Sequence, residues 1–154
     1  MHPNPNAISP LGYLLHDVAR LMKRRFEFEA KSRDMTLPQW RALAHLSWND
    51  GMSQVALAGS IETDPMTLSG ILDRLEAKGL VERVADPTDS RAKLVQITPK
   101  AKALVDDMRS IAGSLYEEVL AGVSPADRQT LISTLTQISS NLSAYSAARK
   151  EIQE

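Results

Sequence analysis

Apolar residues recur about every 3.6 positions along most of this chain, the period of helices with one buried face. Leu11, Leu14, Leu15, Val18, Leu21, Met22 and Phe26 mark a first helix from about 10 to 31, with Ser9 as N-cap and Pro10 in its first turn. Arg20, Lys23, Arg24 and Arg25 interrupt or flank that stripe. Thr36 caps a second helix, roughly Leu37 to Trp48, with Trp40, Leu43, Ala44 and Leu46 inward and Asn49-Asp50-Gly51 ending it. Ser53 caps a short third helix, Gln54 to Ser60, with Val55, Leu57 and Ala58 expected inward. After the turn Ile61-Glu62-Thr63, Asp64 and Pro65 open a fourth helix. Its expected stripe is Met66, Leu68, Ile71, Leu72 and Leu75, and Gly79 closes it.

The pattern changes at Leu80. From there to Thr98, two short β-prone runs flank a turn carrying Arg91 and Lys93. Such a hairpin has too little apolar area to stand alone, so it must lean on the helices before it. Helical spacing resumes with Thr98-Pro99, opening a fifth helix to about Ala121, and Ser124-Pro125 opens a sixth from about 126 to 148. The chain contains no internal repeat or low-complexity segment. The fold class expected is mainly α: a winged helix-turn-helix of about six helices plus a two- to three-stranded wing, with an obligate-type helical dimerisation region.

The short third helix, the three- to four-residue turn and the longer fourth helix have helix-turn-helix spacing, with small Ala58 and Gly59 permitting a close crossing. In that arrangement the second helix enters the DNA major groove. The candidate DNA-binding residues are Ser53 and Gln54 at the third helix, and Thr63, Thr67, Ser69, Gly70 and Arg74 around the fourth. Asp89, Arg91 and Lys93 add the wing. A turn-borne Arg91 suits an adjacent minor groove, where narrow A·T tracts concentrate negative potential. Asp89 is the expected brace for Arg91 and Lys93 a phosphate partner. Asp73 and Glu76 are competing ion-pair partners for Arg74.

Composition bounds the rest. A chain of 154 residues makes one domain burying roughly 70% of its unfolded surface. No apolar run of about 18 residues is present to span a membrane. The stretch Met1-His2-Pro3-Asn4-Pro5-Asn6 lacks a basic, then apolar, secretory pattern, so the expected location is cytoplasmic, nucleoid-associated when DNA-bound. With no cysteine, disulfides, thiolate metal sites and thiol redox sensing are excluded. The net charge of −1 is less informative than its distribution. From Thr67 to Lys102, seven basic residues outnumber five acidic ones, whereas from Ala103 to Glu154 seven acidic outnumber four basic. A localised basic face is what phosphate contact needs.

Several runs resemble the MarR family of bacterial transcriptional regulators. They are Gly51-x-Ser53-Gln54-x2-Leu57-Ala58, Leu72-Asp73-Arg74-Leu75-Glu76-x-Lys78-Gly79-Leu80-Val81-Glu82-Arg83, Asp86-Pro87-x-Asp89-x-Arg91-Ala92-Lys93, and Thr98-Pro99. The Arg-Ala-Lys wing and the Trp40 context are most similar to its SlyA-like branch. The resemblance covers about residues 10 to 145. It implies one MarR-like domain over 1–154, with dimerisation helices at 10–34 and 99–148 and a DNA-binding lobe at 36–98. The implied partners are promoter operator DNA, read as a double-stranded pseudo-palindrome, and a second copy of the chain. The apolar stripes Leu104, Met108, Ile111, Leu115 and Leu131, Leu135, Ile138, Leu142, Tyr145 fit a homodimer, being longer than one lobe can cover. Many relatives place a base-reading Arg where this chain has Gly70, which shifts weight onto Thr67, Ser69 and the wing.

Many members of that family release DNA when a small aromatic carboxylate or phenolic effector binds between dimerisation region and lobe. The matching positions are Arg20, Pro38 and Trp40, with His16 one turn from Arg20. A guanidinium can clamp a carboxylate and an indole supplies an apolar wall. The expected function is thus a sequence-specific DNA-binding regulator, a repressor with an aromatic effector. The alternative is a winged-helix adaptor that binds protein and not DNA. An enzyme is not expected: the chain has no Gly-rich phosphate loop, nucleophile elbow or metal-ligand spacing, and His2, His16 and His45 are scattered. No cofactor or metal is expected.

Overall fold

The computed structural model of this chain describes residues 10–153, with side chains as far as Arg149. The expected cap Ser9, the residue His2 and the stretch from Met1 to Asn6 lie outside the described residues. The elements in order are α1 (Pro10–Lys31), α2 (Leu37–Trp48), β1 (Met52–Ser53), α3 (Gln54–Ser60), α4 (Pro65–Ala77), β2 (Val81–Ala85), β3 (Lys93–Ile97), α5 (Pro99–Val119) and α6 (Pro125–Gln153). The chain is mainly helical with one three-stranded antiparallel sheet, as expected, and it divides into two compact units whose boundary falls inside α5, between Ile111 and Ala112.

In the first unit, polar side chains start the helices. Thr36 Oγ1 accepts the Gln39 N–H at 3.3 Å while Gln39 Oε1 accepts the Thr36 N–H at 3.1 Å, a reciprocal cap that satisfies two otherwise orphaned donors. Ser53 Oγ accepts the Ala56 N–H at 3.1 Å and Asp64 Oδ1 the Thr67 N–H at 2.8 Å. The end of α4 closes on Gly79, whose φ of +70° suits a residue without Cβ. There the Leu80 N–H reaches the Leu75 carbonyl at 2.9 Å and the Gly79 N–H the Glu76 carbonyl at 2.9 Å.

Central strand β3 pairs with β2 from Val81↔Ile97 to Ala85↔Lys93 and with β1 at Met52↔Val95 and Ser53↔Leu94. Asp50 Oδ1 accepts the Ile97 N–H at 2.8 Å, fixing the far end of β3. Thr98 Oγ1 donates to the Gly79 carbonyl at 2.6 Å, which ties the base of the hairpin to the end of α4. One face of the sheet joins a core in which Leu43, Leu46, Leu57, Leu68, Leu72, Leu75, Val81 and Val95 are all fully buried. Phe26 of α1 meets Trp40 edge-on at 6.2 Å between ring centroids.

Of the apolar residues expected inward on α2 to α4, two are not in the core. Val55 and Met66 are 75% and 85% exposed. Each lies two positions before a buried leucine, Leu57 or Leu68. Two residues turn a helix through about 200°, so neither can share that leucine's face.

In the second unit, Gly122 at φ +81° turns the chain between α5 and α6. Arg128 holds this turn: its Nη1 donates to both Glu117 carboxylate oxygens at 3.0 Å, Nε to the Val123 carbonyl at 3.1 Å and Nη2 to the Leu120 carbonyl at 3.0 Å. Ser124 Oγ accepts the Asp127 N–H at 3.1 Å and caps α6, which runs several residues past the expected end at 148. Along α6, Leu131, Ile132, Leu135, Leu142 and Tyr145 are exposed. Among the described residues, no helix is long and apolar enough to cross a membrane.

Candidate nucleic-acid interface

A groove of about 350 Å³ runs between the start of α3, the start of α4 and the wing. It is lined by Ser53, Gln54, Val55, Pro65, Ser69, Arg83, Arg91, Ala92 and Lys93. Five residues singled out from sequence therefore converge: Ser53, Gln54, Ser69, Arg91 and Lys93. The tight turns explain how residues 40 positions apart meet. The hairpin folds β3 back beside β1, and β1 leads directly into α3.

The wing turn is built by two aspartates. The Asp86 carboxylate accepts the Thr88 N–H at 2.8 Å and the Thr88 hydroxyl at 2.7 Å. Those bonds, the amide's first, hold the Asp86 carboxyl below the usual carboxylate range. Asp89 Oδ1 accepts the Arg91 N–H at 3.0 Å, so Asp89 orders the backbone that carries Arg91. Among the described residues, neither Arg91 nor Lys93 makes an ion pair, and both are exposed.

Arg83 is the part of the groove that sequence reasoning missed. From β2 its Nη2 donates to Asp73 and, at 2.6 Å, to Glu76 Oε2, while Nε donates to the same Glu76 oxygen at 3.2 Å. These bonds lower the Glu76 carboxyl pKa and raise that of the Arg83 guanidinium. The wing is thereby clamped to α4. The clamp also occupies the two carboxylates expected to compete for Arg74. Among the described residues Arg74 makes no ion pair, and it lines a separate depression with Lys31, Asp34, Met35, Thr36, Gln39, Ala77 and Lys78. The available signal was Asp73 and Glu76 three apart on one helix face, followed by a strand arginine just past the Gly79 turn.

The other α4 residues have distinct settings. Thr67 is exposed, and its hydroxyl and amide both donate to Asp64, holding that carboxyl below its usual range. Thr63 is half-buried and its N–H reaches the Ala58 carbonyl at 3.0 Å, so it shapes the turn. Gly70 is exposed in mid-helix. The four effector positions are not joined by any hydrogen bond or ring contact among the described residues. Arg20 donates to Asp17, Trp40 is in the core against Phe26, and His16 and Pro38 are exposed.

Comparison with known proteins places this architecture among transcription regulators of the winged-helix class. The MarR family model matches residues 35–93, which span the groove from α2 to the start of β3. Among solved structures, the transcriptional regulator PA3341 is 32% identical, with 87% of this chain and 98% of that chain covered at a TM-score of 0.80. A MarR-family transcriptional regulator from Silicibacter pomeroyi is 30% identical, with 90% and 96% covered at a TM-score of 0.76. A mutant MarR from E. coli complexed with operator DNA is 28% identical, with 89% and 99% covered at a TM-score of 0.76. The chain belongs to the MarR family, and so to a family of transcriptional regulators and not of enzymes.

Proposed function

We propose that this protein is a transcriptional regulator that binds a double-stranded, pseudo-palindromic operator as a homodimer, acting as a repressor by occupying promoter DNA. The observation that carries this reading is the convergence of Ser53, Gln54, Ser69, Arg91 and Lys93 on one groove, with both wing cations free of ion pairs among the described residues. Ser53, Gln54 and Lys93 suit phosphate oxygens, the start of α4 suits base edges in the major groove, and Arg91 suits the adjacent minor groove. Residues 36–98 form the DNA-binding lobe, and the helices at 10–34 and 99–148 pair two copies. The wing Arg91-Ala92-Lys93 and the Trp40 context favour the SlyA-like branch.

The test is a fluorescence-anisotropy titration on promoter DNA between about 50 and 200 mM salt. Affinity should fall steeply with salt. In Arg91→Ala a dimer loses two cations from the phosphate-flanked minor groove, so the slope of log K against log salt should be shallower by about 2, at about 0.9 per lost neutralising charge. Folding stability should change by no more than about 0.5 kcal/mol. A protein-binding adaptor would show no salt-dependent DNA binding, and an unaltered slope in Arg91→Ala would remove that residue from the interface.

We further propose a small anionic aromatic effector, with Arg20 as the carboxylate partner. Salicylate should release DNA from the unaltered protein and not from Arg20→Ala. Equal release from both would exclude Arg20.

A further inference from the structure

The groove carries the cations Arg91 and Lys93, yet the apolar Val55 stands exposed in its lining, and Met66, next in sequence to the lining residue Pro65, is exposed as well. Val55 is the second residue of α3 and Met66 the second residue of α4. Met66 precedes Gly70 by four positions, so the two share a helix face. A Cβ added at Gly70 would meet nothing within 4 Å, so the space at Gly70 is open, and Met66 itself is exposed. The neighbouring polar side chain is already engaged, because the Thr67 hydroxyl donates to Asp64. The face of α4 shared by Met66 and Gly70 therefore presents sulfur and carbon where an amide or guanidinium would read a purine edge.

Of the four bases, only thymine displays an apolar group in the major groove, its C5-methyl. An unbranched thioether can adapt its shape to such a group. The cations Arg91 and Lys93, on the same groove as Val55, favour duplex DNA as the occupant over an apolar protein surface. We propose that Met66, with Val55 beside the groove, reads thymine C5-methyl groups in the operator half-site. This rests on the DNA-binding reading above and adds the base that the helix selects.

The test starts from a pool of random-sequence duplexes, enriched by rounds of binding to the full chain. The recovered duplex is then remade with each thymine in turn replaced by deoxyuridine, which deletes the methyl and leaves every hydrogen-bonding group in place. One or two positions per half-site should lose about fourfold in affinity per methyl. Met66→Ala should bind thymine and deoxyuridine duplexes alike, and Val55→Ala should reduce the discrimination. Both side chains are exposed, so circular dichroism should show unchanged folding. Equal binding of the two duplexes by the unaltered protein, or enrichment of sites without thymine, would overturn the methyl reading and leave DNA binding intact. Discrimination that persists in Met66→Ala would overturn the assignment to that residue. Retention of no DNA at low salt would overturn the DNA-binding reading itself.

Discussion

The leucines of α2 to α4 and the apolar residues of α6 have opposite fates in the same chain. In the first, Leu43, Leu46, Leu57, Leu68, Leu72 and Leu75 are each at 0% exposure. Along α6, Leu131 is 46% exposed, Ile132 59%, Leu142 63% and Tyr145 62%. The first unit buries its own core and can hold the groove in shape with what one chain supplies. The apolar side chains of α6 number too many to be incidental, and scattered single exposures would not recur along one helix. What covers them in the proposed reading is a second copy.

The largest effect should come from breaking that cover. Leu142→Asp places a charge on a surface that one chain leaves open, so the isolated chain should still fold. Light scattering should report a monomer. Operator affinity should fall by about 10²–10⁴-fold, because two half-site contacts no longer act together. A variant that stays dimeric with full affinity would show that α6 is not the pairing surface.

The complementary substitution lies in the lobe. Leu72→Ala removes a fully buried side chain and leaves a cavity, which should cost about 3 kcal/mol in urea unfolding. Its association state should not change while it is folded. If Leu72→Ala dissociated the protein as readily as Leu142→Asp, the independence of the two regions would fail.

How much of this was legible in sequence follows from the range of each interaction. Caps act within a turn, so Thr36, Ser53, Asp64, Thr98 and Ser124 could be read as helix starts and Gly79 as a stop. Residue type alone misplaced Val55 and Met66, because helical phase decides which face an apolar residue joins. The Arg83 clamp is a contact between a strand and a helix, and no local period encodes it. Trp40 carries the same lesson in reverse. An indole near the start of α2 offers an apolar wall for a ligand, but its partner Phe26 lies on another helix and places it in the core.

The Arg83 clamp predicts a modest pH effect confined to the lobe. The Glu76 carboxyl is shifted below its ordinary value of 4.5 by the Arg83 guanidinium. A depressed carboxylate contributes fully above its unfolded value, and the contribution is lost as pH falls through the lower folded value. Urea midpoints measured from about pH 6 to about pH 3 should decline less steeply at the acid end in Glu76→Gln than in the unaltered chain. The Asp86 carboxyl is depressed in the same direction, so part of the acid slope should persist. An unchanged slope would mean the clamp adds nothing to stability in solution.

The smallest effect separates folding from recognition at a single glycine. Gly51 and Gly79 have φ of +76° and +70°, so a side chain at either is strained. Gly70 has no such need: its φ is not positive, and an added Cβ meets nothing within 4 Å. In mid-helix a glycine costs about 0.5–1 kcal/mol relative to alanine, so Gly70→Ala should stabilise the lobe by that amount. The fold gains nothing from this glycine that the structure displays, and in the proposed reading its value lies on the face it leaves open. Operator affinity or base preference should then change in Gly70→Ala while α6 pairing does not. If the variant is more stable and its DNA recognition is untouched, the open face beside Met66 is not part of the readout.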